Sequence, residues 1–490
     1  MIRLRPILLL AVAMFAMAQT SPRSASAPAL AAAQEDINRG DFHAAAAAYQ
    51  TLTEKEPLLA EAHAGLVQSL LKLDEVDAAE QASRKAADAL PQSAIVLAAD
   101  GDVKFRRGLL VDARDRYQAA LRLDEKCARA WLGMGRIDAA ESHRAKSREA
   151  FARAHELDPG DGDILYYWAI GLPFPQTVAQ LQKHLAEYRN DEEKERHERE
   201  YIEFLKALAG RKVWIPAREV PSAEIKLRAI VPGVKDGTRA YSIQVKLNNR
   251  ATGNVMLDTG ASGLTISSKL AEKAHATWLS DHSIEGVGNS GPAKGYEAWV
   301  DKVTIGPLEF HDCHVHVTPR SSADFDGMIG TDVFEKYLVK VDFLAHKLRL
   351  QPMPPALDRD SFTPFYRFGH IMLMPTSVGD TAHGLFVLDT GSVTNSMSPG
   401  LARQIGTLHS SDILVNGMSG SVTNVFTVDE TVLQFSRFRQ PHENMIIFDL
   451  HGVSKDLGTE ISGLIGFVTF KNMTITIDYR DGLIDFDSKP

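Results

Sequence analysis

The tripeptide Asp-Thr-Gly occurs twice, at Asp258-Thr259-Gly260 and at Asp389-Thr390-Gly391. Each copy ends an apolar run, Val255-Met256-Leu257 in one case and Phe386-Val387-Leu388 in the other. A single copy would mean little, because Asp and Gly are ordinary turn residues. The repetition carries more. Gly327-Met328-Ile329-Gly330 recurs 136 residues later as Gly463-Leu464-Ile465-Gly466, and Phe334 recurs as Phe470 at the same offset. Val339-Lys340-Val341-Asp342-Phe343 likewise recurs as Ile475-Thr476-Ile477-Asp478-Tyr479. This half of the chain therefore contains itself twice and holds two carboxylates in equivalent local settings. Two carboxylates brought to one water cannot both ionise near neutral pH, so they share a proton. In such a pair the ionised member can serve as a general base and the protonated member as a general acid.

The elements that would position these groups are strands. Ile243, Val245 and Leu247 alternate with Gln244 and Lys246, and short apolar alternations recur from there to the end of the chain. The Pro-rich stretch Gln351 to Pro364 separates the copies, giving lobe one at 222–352, a linker at 353–359 and lobe two at 360–490.

An apolar strand running into Asp-Thr-Gly, followed at a distance by two apolar residues and a Gly, and all of it duplicated, resembles the aspartic proteases, specifically their bacterial retropepsin-like branch. The resemblance covers roughly the C-terminal half. It implies a two-lobed all-β fold with Asp258 and Asp389 as the catalytic pair, a peptide or protein substrate and no cofactor or metal. Thr259 and Thr390 would cross-link the two loops, and Gly260 and Gly391 would leave room for substrate. Ile329-Gly330 and Ile465-Gly466 would form the strands through which each loop threads. Viral relatives dimerise to gain the second Asp, whereas this chain encodes both, so a monomer suffices. Position +3 from the Asp is Ala261 in one lobe and Ser392 in the other. By resemblance to pepsin-like loops, the Ser392 hydroxyl is expected to donate to Asp389 and to hold the charge there. After the distal Gly comes Thr331-Asp332 in lobe one and Phe467-Val468 in lobe two, so the lobes have diverged.

Candidate flap hairpins lie between the motifs, at Ile284 to Trp299 with Gly286 and Gly288, and at Ile413 to Phe426 with Gly417 and Gly420. Gly286-Val287-Gly288-Asn289-Ser290-Gly291 is formally a dinucleotide fingerprint, but Pro292 and a strand-like region follow it where a helix is needed. In His311-Asp312-Cys313-His314-Val315-His316, His314 and His316 share one face of a strand. A metal would lack a third ligand there, so the expectation is no metal and a solvated strand face.

The N-terminal half has a different period. Pro57, Pro91 and Pro159 stand 34 and 68 residues apart, with Glu125 in the missing place. Ala45, Ala79, Ala113 and Ser147 repeat at 34, and Tyr49, Tyr117 and Phe151 follow three of them by four residues. Gly101 and Gly135 share another slot, and Trp131 precedes the second by four. This resembles tetratricopeptide repeats over residues 26–161, an α-solenoid in which a small residue admits the paired helix and an aromatic fills the groove. Capping helices are expected over 162–210 and a linker over 211–221. Such an array offers a concave surface to a protein partner, or serves as a spacer. From about residue 215 the chain holds both carboxylates, both threonines and both flap candidates, so the lobes are expected to work without the repeats. The alternative reading is a non-proteolytic adaptor that binds through its repeats, with the lobes as relics. Loss of either Asp would favour it, and both are present.

Composition narrows the setting. Hydrophobic residues at 44% and charged residues at 24% are ordinary globular usage. With 54 Lys+Arg against 63 Asp+Glu the net charge is -9, which argues against nucleic acid as the main partner. Two cysteines, Cys127 and Cys313, cannot build a disulfide framework or a Cys-based zinc module. Arg3 and Arg5 precede an apolar run from Ile7 to Ala18 that ends in Ala16-Met17-Ala18. This predicts a secretory signal peptide over 1–18, with Ala27 as an alternative end and an uncleaved anchor as the competing reading. The protein is thus expected to be exported, periplasmic or secreted, with no membrane span after cleavage.

Overall fold

A computed structural model describes residues 26–230, 238–319, 322–355, 357 and 360–488. The expected signal peptide lies outside these, except for its alternative end at Ala27, which falls in the first helix. No helix among the described residues is long and apolar enough to cross a membrane.

Helices fill the chain from Ala27 to Leu208. The 34-residue pattern has a direct packing cause. Tyr117 is fully buried against Gly101 and Gly133, where an added Cβ would come within 2.5 and 2.2 Å of its ring. Tyr49 fills the same kind of gap at Gly65, and Phe151 does so at Gly135. Helices Gly162–Ala169, Gln176–Glu187 and Glu192–Leu208 close the array. The last is capped by the Asp191 carboxylate, which accepts from the Lys194 N–H, and carries Glu192, Glu193 and Glu195 in its first turn.

Strands follow. Among the described residues they form sheets of nine, ten and six strands and a two-stranded hairpin. The ten-stranded sheet is built from lobe two and the nine-stranded sheet from lobe one together with Ile215–Pro216, which pairs with Phe310 and His311, so the stretch expected as a linker over 211–221 adds an edge strand instead. The six-stranded sheet joins them, because strand Tyr337–Asp342 of lobe one pairs antiparallel with Thr474–Asp478 of lobe two. One apolar core runs through both lobes, from Val255 and Leu257 to Phe386 and Leu388. Cys127 and Cys313 are both free and buried.

The repeats do not stand apart from the lobes. Leu97, Phe105, Leu110 and Tyr117 of the helices share a buried cluster with Leu373, Leu385, Val387, Phe448, Leu450, Ile461 and Leu464 of lobe two. Thr459 Oγ1 donates to the Phe105 carbonyl at 2.8 Å, and the Glu460 N–H donates to the Arg106 carbonyl at 2.8 Å. The expectation of self-sufficient lobes is therefore revised. A fragment beginning near residue 215 exposes seven apolar side chains that are buried in the whole chain, each worth about 1.5–3 kcal/mol of burial. We expect that fragment to aggregate or to bind a hydrophobic dye strongly. A monodisperse, dye-silent fragment would count against a shared core.

Candidate active site

Each Asp is delivered by a strand. Ala251–Leu257 leads directly into Asp258, and Ala382–Asp389 carries Asp389 at its end. The chain then turns and leaves along a second short strand, and the distal motif runs between the two. Gly327–Ile329 pairs parallel with the Asp258 strand and antiparallel with Leu264–Ser267. Gly463–Gly466 does the same in lobe two, pairing parallel with the Asp389 strand and antiparallel with Ser396–Met397. The crossing is tight. A Cβ on Gly330 would lie 2.3 Å from the Ala261 carbonyl oxygen, and one on Gly466 would lie 2.3 Å from that of Thr394.

The two loops meet tip to tip. Thr259 Oγ1 donates to the Leu388 carbonyl at 2.7 Å and accepts from the Thr390 N–H at 3.0 Å. Thr390 Oγ1 donates to the Leu257 carbonyl at 3.1 Å and accepts from the Thr259 N–H at 3.0 Å. Both threonines are buried. This reciprocal lattice holds the carboxyl groups of Asp258 and Asp389 in hydrogen-bond contact with each other. Gly391 leaves no room for a side chain, since a Cβ there would sit 2.3 Å from Asp258 Oδ2.

The carboxyls are electrostatically unequal. Asp258 is buried, and burial, together with the neighbouring Asp389 charge, pushes its pKa well above the usual carboxylate range. Burial also raises Asp389, but the Ser392 and Gly391 N–H groups and the Asp258 carboxyl all donate to it and offset the rise. Asp389 Oδ1 accepts from Gly391 N at 2.9 Å and from Ser392 N at 3.0 Å. Asp258 accepts from Gly260 N at 2.8 Å and from the Gly391 N–H of the other loop, while the Ala261 N–H reaches only the Asp258 backbone carbonyl, where that of Ser392 reaches both the Asp389 carbonyl and its carboxylate. The geometry therefore favours the shared proton on Asp258 and the charge on Asp389.

The cause differs from the sequence expectation. The Ser392 hydroxyl donates to the Thr394 carbonyl at 3.0 Å rather than to Asp389. The difference between the loops lies in a backbone amide that alanine also possesses. Ser392→Ala should accordingly leave the acidic limb of a pH–rate profile where it is in wild type. A shift of that limb to higher pH would restore the hydroxyl as the cause.

Several neighbours carry weight that the sequence did not reveal. The Asp332 carboxylate accepts from the Gly263 N–H at 3.1 Å and so ties down the loop after Asp258. In lobe two Val468 stands in that place and Asn395 does the tying, its Oδ1 accepting from Gly466 N at 2.8 Å and Thr469 Oγ1 at 3.0 Å. The His370 imidazole, from lobe two, bonds the Gly260 backbone, and burial lowers its pKa to about 4.

The candidate flaps are found together. The segment from Glu285 to Pro292 joins strands Thr277–Ile284 and Ala293–Ile305, with no helix after the glycines. In lobe two Asn416–Gly417 pairs with Gly420–Ser421. The tips interlock. The Ser290 N–H donates to the Ser419 carbonyl at 2.7 Å, the Ser419 N–H to the Val287 carbonyl at 3.0 Å, and the Asn289 N–H to the Ser421 carbonyl at 3.1 Å. Gly286 N donates to Ser419 Oγ at 3.1 Å, and a Cβ on Gly288 would meet the Ser419 carbonyl carbon at 2.3 Å. Gly417 and Gly420 are closed in the same way by Val287 and Ser290.

The histidine strand is not a solvated face. Phe204 of the last capping helix lies 5.1 Å from the His314 ring, and His282 and Glu297 from neighbouring strands flank His316. A third donor was absent from the local sequence because it comes from strands paired across the sheet.

Residues 243–333 match the family model for aspartyl protease, and residues 30–94 match a tetratricopeptide repeat model. The chain is thus similar to tetratricopeptide repeats near its N-terminus and to aspartyl proteases over the first of its two lobes. Comparison with curated proteins gives no match. Among solved structures, the aspartic proteinase from Irpex lacteus is similar at 11% identity and a TM-score of 0.38, over 55% of this chain and 97% of that one.

Proposed function

We infer that the protein is an aspartic endopeptidase that hydrolyses peptide bonds with a water held between Asp258 and Asp389. The observation that supports this most is the pair of carboxyls in mutual contact, fixed by the reciprocal threonine bonds beneath them. Asp389, which accepts two backbone N–H groups, takes a proton from the water as its oxygen attacks the carbonyl carbon. Asp258 keeps its proton on the carbonyl oxygen and stabilises the tetrahedral species. The C–N bond then breaks as a proton passes to the departing amine, and the pair returns to a single shared proton.

The interlocked loops at Val287–Ser290 and Ser419–Ser421 would part to admit a substrate and close over it. The repeats would bring a protein substrate or partner to the lobes through the part of their concave face that lobe two leaves open. A cavity of about 860 Å³ lined by Gln34, Glu61, Gln92, Asp124 and Lys126 lies there. Export through the N-terminal signal would place the activity in the periplasm or outside the cell. The test is digestion of a peptide library by the purified full chain across acidic to neutral pH. Cleavage should persist in a chelator, stop with pepstatin and be absent from Asp258→Asn. Turnover by Asp258→Asn equal to wild type would overturn the assignment.

A further inference from the structure

A second set of chemistry-bearing side chains lies on the lobe-one sheet. Strands Thr277–Ile284, Ala293–Ile305 and Leu308–Thr318 run side by side, with Glu297 opposite Ser280 on one flank and His316 on the other. His282 follows Ser280 by two residues, and His314 precedes His316 by two. Side chains alternate faces along a strand, so His282, Glu297, His314 and His316 all stand on one face. His316 Nδ1 is 2.9 Å from Glu297 Oε1, and His282 Nδ1 is 3.5 Å from the same oxygen. One donor atom from each of His282, Glu297 and His316 lies within 4.8 Å of the others.

A hydrogen-bonded His–Glu pair accounts for only part of this. Glu297 is 4% exposed, yet its second oxygen, Oε2, is buried with no hydrogen-bond partner. His314 Nδ1 is also buried and unpartnered, and its ring lies beside that of His316. A buried carboxylate oxygen without a donor is costly. A cavity of about 370 Å³ opens on this cluster, walled on the far side by His197, Tyr201 and Phe204 of the capping helix. Two imidazoles and a carboxylate around an open position form a borderline donor set. It suits zinc, whereas calcium and magnesium prefer all-oxygen sites.

We propose that His282, Glu297 and His316 bind a divalent transition-metal ion of the zinc class, with the fourth position open to the cavity. All three ligands come from one sheet, so the site is largely preformed. His282 lies three residues before Glu285, at the root of the hairpin whose tip locks onto lobe two. His316 Nε2 faces Gly263, in the loop that follows Asp258. An ion here would brace the hairpin root and that loop without touching the reacting carboxyls. The site is independent of the peptidase reading.

The full chain, stripped with a chelator and dialysed, would be titrated with zinc chloride alone, and bound zinc measured after gel filtration. One equivalent should be retained, and the thermal midpoint should rise with zinc. Glu297→Gln, which keeps the shape and hydrogen-bonding capacity of the side chain, should lose both effects, as should His316→Ala. His143→Ala removes a surface histidine beside Asp138 and Glu141 and should keep both. If His316→Ala does not fold, Glu297→Gln decides. Failure of wild type to retain zinc, or retention of a full equivalent by Glu297→Gln, would overturn the proposal. So would loss of zinc only in His143→Ala.

Discussion

Replacing Asp258 or Asp389 by Asn should lower turnover by about 10⁴-fold or more, the upper range for removing a general acid or base. The double variant should be hardly worse than either single one, because the two groups act as a unit. Mixing the single variants should not restore activity, since both carboxyls belong to one chain and the loops carrying them are bonded to each other within it. Loss of activity through loss of fold is separable by a second readout. Both pKa values are raised in the folded protein, Asp258 most, mainly by burial. Below the ordinary carboxylate range, about pH 4, folded and unfolded chains both hold these protons. As pH rises through that range the unfolded chain releases them while the folded pair retains them. The folded state then binds more protons, so its stability falls with rising pH until the folded pair gives up its own proton. Asp258→Asn removes that contribution. Its thermal midpoint should match or exceed wild type near neutrality and fall less steeply with pH. A variant that is inactive and also melts lower would point to a structural role for the carboxyl.

Thr259→Ala, like its reciprocal partner Thr390→Ala, should be among the most destabilising single-hydroxyl deletions in the lobes. The Thr259 hydroxyl donates to one buried backbone group, the Leu388 carbonyl, and accepts from another, the Thr390 N–H. Its removal leaves both unsatisfied, at about 1–3 kcal/mol each, hence about 2–6 kcal/mol. Against a typical domain stability of about 5–15 kcal/mol that is a large fraction. Thr259→Ser keeps the hydroxyl and should recover most of the loss. Amide exchange at Thr390 and Gly391 reads the effect locally, without assuming that the chain unfolds in one step. Equal exchange in Thr259→Ala and wild type would mean that the lattice contributes little.

These predictions rest on features unequally legible in the sequence. The strand, the Asp-Thr-Gly loop and the distal glycines are encoded within a few residues of one another and repeated, so their pattern survives without the fold. The clamps at Asp332 and Asn395 are not encoded that way. Asp332 bonds a loop 69 residues earlier, and only the threading of the distal strand between the two arms of the Asp loop brings them together. Ser392 sits at the expected position, but the local turn decides whether its hydroxyl or its amide meets Asp389. Glu297 joins the histidines through strand register, which composition does not specify. One missed feature did leave a signal. Leu385-Phe386-Val387-Leu388 is a continuous apolar run where a strand with one wet face would alternate. Phe386 and Leu388 enter the lobe core while Leu385 and Val387 pack under the repeats.

The strand pairing between the lobes has a further consequence. In that pairing Lys340 faces Thr476, and these are equivalent positions of the two copies, 136 residues apart. Val339 faces Ile477 and Val341 faces Ile475, so the pairing maps onto itself when the copies are exchanged. The lobes are related by an internal pseudo-twofold axis through that residue pair, and the threonine bonds, which exchange in the same way, straddle it. A polypeptide has direction, and a cleft with true twofold symmetry would accept it equally well in either sense. Here the tie is broken within the chain. The amide of Ser392 reaches the Asp389 carboxylate where that of Ala261 bonds only its own turn, and Asp332 clamps one loop where Asn395 clamps the other. If the proposed peptidase reading holds, divergence after duplication would give the cleft a handed preference for substrate polarity before any substrate arrives, which a pair of identical halves cannot possess.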